Sequence, residues 1–237
     1  MSRLEGDEAQ AYAEASPQAH VEQLAPVIRR LLGPLGAATV LDFGAGPGAL
    51  VSRVVPANAA RLICVDRSEV LCRMAARRLR DRSTLVVVGD ERVLPLEGCV
   101  DAALCSLVLM NCADRAALDR VCERLIGALR PGAPLVVALT HPCFRNQPYG
   151  TFRYELPSDY AYLRGGTPYH VILTPEGVKR PAAELTDHHW PLGDYVEALC
   201  RPGAVIDAVE ELPATGDAEY AGVEPPAYLL LRVIRKR

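Results

Sequence analysis

Three glycines spaced two residues apart, Gly44, Gly46 and Gly48, follow directly on the apolar-acidic run Val40, Leu41, Asp42, Phe43. Glycine allows a sharp reversal of the chain, and its missing Cβ lets a ligand lie against the backbone. Residues 39–43 read as a buried strand, and Ala49, Leu50 and Val54 begin a helix whose N-terminus would present unpaired N–H groups. Strand, tight turn and helix in that order make a corner for a nucleotide-type ligand. Gly44, Gly46 and Ala49, with Asp66 about twenty residues on, satisfy the dinucleotide fingerprint with alanine in its last place. Asp42 and Pro47 pull the other way. A carboxylate two residues before Gly44 suits a cationic, phosphate-free ligand, and Pro47 removes a backbone donor that a pyrophosphate could use.

Such a corner needs a sheet behind it. Residues 61–65 read as a second strand ending at Asp66, after which Ser68 N-caps a helix to about Leu79. Residues 84–88 are a third strand, β-branched and running into Gly89 and Asp90. Residues 100–105 form a fourth, leading into Ser106 and Leu107; Asp114 caps a helix to Leu129, and 135–139 are a fifth. Strands alternating with helices predict a parallel sheet wound on both faces, with ligands gathered at the carboxyl ends of the strands. Upstream, residues 7–15 read as a short helix ended by Ser16 and Pro17, and a second follows with Val21, Leu24, Ile28 and Leu31 at helical spacing. Pro26 inside that pattern predicts a kink or two abutting helices. This leader is either a packing layer or a cap over the site with Tyr12 reaching inward.

The string D-x-G-x-G-x-G from Asp42 to Gly48 resembles motif I of the class I S-adenosylmethionine (SAM)-dependent methyltransferases. The resemblance extends over about residues 40–140. Asp66 matches the acid that in this family accepts hydrogen bonds from both ribose hydroxyls, and Asp90 matches the acid beside the adenine amino group. Ser106 and Leu107 match the segment beneath the methionine moiety, and the run from Arg130 to Val137 matches the turn into the fifth strand. A nicotinamide enzyme has no reason to place Asp90. The resemblance implies SAM as cofactor and S-adenosylhomocysteine (SAH) as product. It implies a cofactor set of Tyr12, Asp42, Gly44, Ala45, Gly46, Gly48, Asp66, Arg67, Asp90, Glu91, Ser106 and Leu107. The implied fold is α/β, a Rossmann-like doubly wound sheet of seven mostly parallel strands. It divides as an N-terminal helical cap (1–35), a SAM-binding core (36–140), a lid inserted between strands five and six (141–200), and the last two strands (201–237).

From 141 to 200 the alternation stops, and this stretch holds nine of the thirteen aromatic residues where even spreading would put about three. Thr174 to Gly177 reads as a type I turn, residues 169–173 alternate before it, and a small hairpin is expected. Asp187 to Pro191 reads as the entry to a helix ending near Cys200. Residues 204–210 and 227–234 read as the last two strands, and the resemblance makes the final one antiparallel. An activated methyl donor leaves the protein chiefly to align a nucleophile. A hydroxyl nucleophile benefits from a base of near-neutral pKa, which points to histidine. His141, directly after the fifth strand, is the first choice and His189 the second, each set against a structural histidine bonded to backbone. Tyr154, Tyr169 and Trp190 are expected to line the substrate pocket, as an apolar wall or by cation–π contact.

Composition narrows the rest. At 237 residues the chain makes one domain, and a formal charge of −3 without a basic tail argues against nucleic acid. The basic run 73–82 reads as a solvated helix face. No apolar stretch reaches about 18 residues, the first residues do not read as a signal peptide, and no membrane partner is expected. Eight cysteines without a C-x-x-C pair, mostly in apolar runs, predict a reducing cytoplasmic compartment and no metal. The expected activity is methyl transfer from SAM to an oxygen or nitrogen of a small molecule of the natural-product kind, with a homodimer left open. The rivals are a non-methylating use of SAM, of cyclase or lyase type, and an NAD(P)-dependent oxidoreductase.

Overall fold

The computed structural model describes residues 6–15, 18–80, 82–94, 98–147, 149, 152–173, 183–213 and 225–237. In chain order the helices are α1 (Gly6–Ala15), α2 (Gln18–Leu32), α3 (Ala49–Val54), α4 (Glu69–Arg78), α5 (Arg115–Ala128) and α6 (Leu192–Cys200). The strands are β1 (Thr39–Phe43), β2 (Arg61–Asp66), β3 (Thr84–Val88), β4 (Ala102–Ser106), β5 (Pro134–Thr140), β6 (Phe152–Glu155), β7 (Thr167–Leu173), β8 (Ala183–His189), β9 (Ala204–Leu212) and β10 (Tyr228–Arg235).

Seven strands form the main sheet in the order β3-β2-β1-β4-β5-β10-β9. The first five are parallel, and β10 runs antiparallel to both β5 and β9. Strand order reverses between β1 and β4, so the crevice at their carboxyl ends is where an open α/β sheet takes its ligand. β1, β4 and β5 are buried almost throughout, as strands covered on both faces must be. β3 and β9 are the edges and expose alternate residues. One core lies between the sheet and α5 with α6; the other lies beneath α2, α3 and α4.

Between β5 and α6 the chain makes a second, three-stranded antiparallel sheet, β6-β7-β8. Tyr149, Phe152, Tyr169 and Val171 join the core on the α2 side, so the lid is packed into the domain and not appended to it. α1 packs against α4 and against β8, closing the same end of the molecule from above.

Three sequence expectations change. α2 is one helix through Pro26, which stands on the exposed face where water can serve the carbonyl that proline cannot. The fourth strand begins at Ala102, because Val100 makes only an isolated bridge to Leu129. Asp187 to His189 end a strand instead of entering a helix; their register partners on β7 are Tyr169, Pro168 and Thr167. The turn at 174–177 and the helix stop at Ser16 and Pro17 lie outside the described residues. Among those residues no helix is long and apolar enough to cross a membrane.

Candidate functional site

β1 delivers the chain into a turn in which Gly44, Gly46 and Gly48 all take positive φ, +76°, +53° and +73°. At Gly44 the requirement is double, since a Cβ would stand 2.2 Å from Val108 Cγ2 on the turn after β4. The backbone donors of the turn are all consumed internally. Gly44 and Ala45 N–H donate to the Val65 carbonyl at 2.7 and 3.1 Å, and Gly48 N–H donates to Ala45 at 3.0 Å. Gly46 N–H donates to Asp66 Oδ2 at 2.8 Å, and Pro47 has no N–H to give. A pyrophosphate would find no donor in this turn, and α3 behind it is only six residues long. The dinucleotide reading loses its turn donors on that count.

Asp66 is the acceptor that the corner builds instead. Its second oxygen takes the Ser68 N–H at 2.8 Å, while Ser68 Oγ caps α4 by accepting from Leu71 N–H. Burial raises the Asp66 carboxyl, and the bonds from Ser68 and Gly46 oppose that rise. Two N–H groups thus fix the carboxylate while each oxygen keeps a lone pair. A rigid acceptor at a strand end fits the vicinal hydroxyls of a ribose.

Asp42 has a different part from the one expected. It is buried on β1 beneath the turn, and burial, then the neighbouring Asp66, pushes its pKa to about 8. It stays protonated at neutral pH and does not front the cavity. Asp90 is also turned away: Arg92 grips it through Nε at 2.9 Å and Nη2 at 2.6 Å, and Arg67 lies at 3.4 Å. The Arg92 bonds hold its carboxyl well below the usual range against the opposing pull of burial. Glu91 is buried 3.7 Å from Arg120 Nε. Gly89, one residue earlier, is what borders the cavity.

That cavity is partly open to solvent and reaches from the strand ends of the main sheet to the lid. Gly44, Gly46, Asp66, Arg67, Ser106 and Leu107 border it on the sheet side, and Tyr12 and His20 close it from α1 and α2. Leu107 holds φ +57°, one of two non-glycine residues with positive φ among those described, with its N–H on Ala138 O. A leucine in that conformation costs on the order of 1–3 kcal/mol, and it sits where the cofactor would pass into the chamber. The lid wall is apolar, with Phe152, Val171, Leu173 and Leu185, apart from one acid, Asp187. Taken together the sheet side fits SAM: Asp66 for the ribose, and the strand-end backbone at Ser106 and Leu107 for the methionine part.

Both histidines chosen from sequence lie outside this chamber. His141 Nε2 lies 2.8 Å from Glu211 Oε1, and its Nδ1 accepts from Cys143 N–H. Its ring borders a separate hollow with Val209 and Leu229, on the other side of the sheet edge. Burial lowers its pKa, with Glu211 acting against that. His189 accepts from Arg145 Nε at 3.1 Å through Nδ1 and meets the Tyr162 carbonyl at 2.7 Å through Nε2. Burial depresses its pKa to about 4, so it is a neutral ring with both nitrogens used. Position after the fifth strand did not decide direction: the lone pair of neither faces the cavity.

The aromatic expectation is corrected likewise. Trp190 is buried and donates from Nε1 to Cys112 O at 3.0 Å. Tyr154 and Tyr169 stand behind the wall, edge to face at 5.5 Å, with the Arg145 guanidinium 4.6 Å from the Tyr169 ring. They back the chamber without bordering it.

Sequence reasoning missed His20 and Asp187. Burial drops His20 to a pKa of about 4. Asp187 is buried, raised to about 6 by that burial, and held from going higher by Arg145 and by Tyr169, whose hydroxyl donates to Oδ2 at 3.4 Å. A signal existed: in the run 183–189 the alternation that turns Leu185 and His189 inward also turns Asp187 inward.

A methyltransferase-domain family model matches residues 40–132 of the chain. The chain is 33% identical to an N-demethylindolmycin N-methyltransferase of Streptomyces griseus over 184 residues, 73% of this chain and 72% of that protein. An S-adenosylmethionine-dependent methyltransferase structure from Mesorhizobium loti superposes with a TM-score of 0.64 at 24% identity, over 89% of this chain and 96% of that one. The [4+2]-cyclase SpnF superposes with a TM-score of 0.61 at 17% identity, over 91% and 81%. One fold therefore serves a methyltransferase and a cyclase, so sequence kinship, not architecture, separates them here.

Proposed function

The chain belongs to the SAM-dependent methyltransferases, and we propose that it methylates a nitrogen or oxygen of a small, largely apolar molecule of the natural-product kind held beneath the lid. The observation that carries this reading is the single cavity that runs from Asp66 at the end of β2 to Asp187 on the lid strand β8. SAM supplies an already activated methyl group, so the protein's remaining work is alignment and exclusion of water. Asp66 holds the cofactor end of that cavity by its fixed carboxylate. Phe152, Val171, Leu173 and Leu185 desolvate the other end and favour an apolar body. The Streptomyces griseus relative is itself a small-molecule N-methyltransferase by name, which supports nitrogen over oxygen. Eight free cysteines, five of them buried, suit a reducing cytoplasm.

The test is SAH formation with a panel of aromatic and heterocyclic amines and their hydroxyl counterparts. Methylated product from members with an apolar body is the expected result. Conversion that needs SAM yet leaves it unconsumed would overturn the proposal in favour of a cyclase-type use of the fold.

A further inference from the structure

The lid wall places one ionisable group against the substrate. Asp187 sits at an inward position of β8, buried, among Phe152, Val171, Leu173 and Leu185. Burial in an apolar wall favours the protonated form of an acid unless a nearby positive charge opposes it. Arg145 does so from behind. It is fully buried in the turn after β5, bound to Thr140 Oγ1 at 2.9 Å and His189 Nδ1 at 3.1 Å. Neither partner carries charge, and its second terminal nitrogen, Nη2, has no partner. Tyr169 bridges the two, its ring under the guanidinium and its hydroxyl on the Asp187 carboxylate.

We propose that Asp187 receives the nucleophile, that this nucleophile is a basic amine, and that Arg145 is the positioning residue that keeps Asp187 ionised to meet it. The inference rests on the methyl-transfer reading and deepens it. An amine that is protonated in water enters as an ammonium, drawn to the carboxylate out of an otherwise apolar chamber. The N–H bond then breaks with its electron pair left on nitrogen, and the proton bonds to a carboxylate oxygen of Asp187. The freed lone pair is the nucleophile. An alcohol offers no comparable charge to the wall and is disfavoured.

The other titratable groups around Asp187 do not duplicate it. Tyr169 and Tyr195 stay neutral, pushed up chiefly by burial, and His20 across the chamber is neutral at pH 7. Tyr12 faces the chamber from α1 and Tyr228 from β10, while Asp66 and Arg67 belong to the cofactor end.

The experiment reads binding without turnover. SAH-loaded protein is titrated by calorimetry with matched pairs such as benzylamine and benzyl alcohol, and phenethylamine and phenethyl alcohol, from pH 5 to 8. The amine is expected to bind at least tenfold tighter at pH 7. Its advantage should fall about tenfold by pH 5, because Asp187 titrates near pH 6. Asp187→Asn should abolish the preference while leaving SAH affinity intact. Should that variant fail to fold, Arg145→Lys and the wild-type pH profile decide, the lysine variant retaining the preference with its pH midpoint displaced. No amine preference in any pair, or a preference unmoved by pH and by Asp187→Asn, would overturn the inference. SAH formation is scored separately, so loss of amine preference and loss of methyl transfer are distinct failures.

Discussion

The corner after β1 and the wall of the lid meet across one cavity, yet they are built on opposite principles. At the corner, a short stretch of chain makes its own site: Gly44, Ala45, Gly46 and Gly48 spend their N–H groups on Val65, Asp66 and each other, and what remains is a fixed acceptor. In the lid, the decisive pair is 42 residues apart, Arg145 after β5 and Asp187 on β8, joined through a tyrosine on β7. The corner is rigid because its bonds are local. The lid gains its chemistry only after three strands have paired.

That contrast can be broken first at Gly44. An alanine there adds a positive-φ penalty of about 1–2 kcal/mol to overpacking of about 1–3 kcal/mol against Val108. Gly44→Ala should therefore lose roughly 3 kcal/mol in urea unfolding and most of its SAH affinity. Adding Val108→Ala should recover the overpacking part and leave the φ penalty. No recovery would mean that the two turns do not press on one another as the structure has them.

Asp42 and Asp66 sharpen the same comparison within the corner. Asp42 has a folded pKa of about 8 against an unfolded value near 3.9. Between those limits the folded state keeps a proton that the unfolded state releases, so the domain loses stability as pH rises from about 4 to about 8. Asp42→Asn lacks this titration. Its melting temperature relative to wild type should climb from pH 5 to pH 8.5. Parallel curves would show that Asp42 is not buried as a neutral acid.

The smallest expected effect is at the histidines. His141 is engaged by Glu211 and Cys143 and borders a different hollow. His141→Gln should change kcat by less than about twofold and leave its pH profile in place, whereas a base in the chamber would cost about a hundredfold or more.

How much the sequence disclosed follows from the same division. The alternation of strands and helices in the core, the glycine turn, Ser68 and Asp114 as N-caps, and Asp66 at its strand end were all legible, because each rests on residues a few positions apart. The chemistry of the lid was not. His141 and His189 have the right side chains near the right strand ends, but only the fold tells that Glu211, Arg145 and Tyr162 occupy their nitrogens. Tyr169 and Trp190 were placed in the right segment and on the wrong side of its wall, since aromatic content predicts burial and not the face presented. Asp187 was hidden by a mistaken helix start. Once β8 is known as a strand, its inward register is immediate.

The most direct test of the account is calorimetric titration of SAH and NADH into the wild-type chain and into Asp66→Ala. Micromolar SAH binding is predicted, with no NADH binding. Loss of charge-assisted hydrogen bonds at Asp66 should cost about 1.5–3 kcal/mol, roughly ten- to 150-fold in SAH affinity. NADH binding without SAH binding, or SAH affinity indifferent to Asp66→Ala, would contradict the account at its centre.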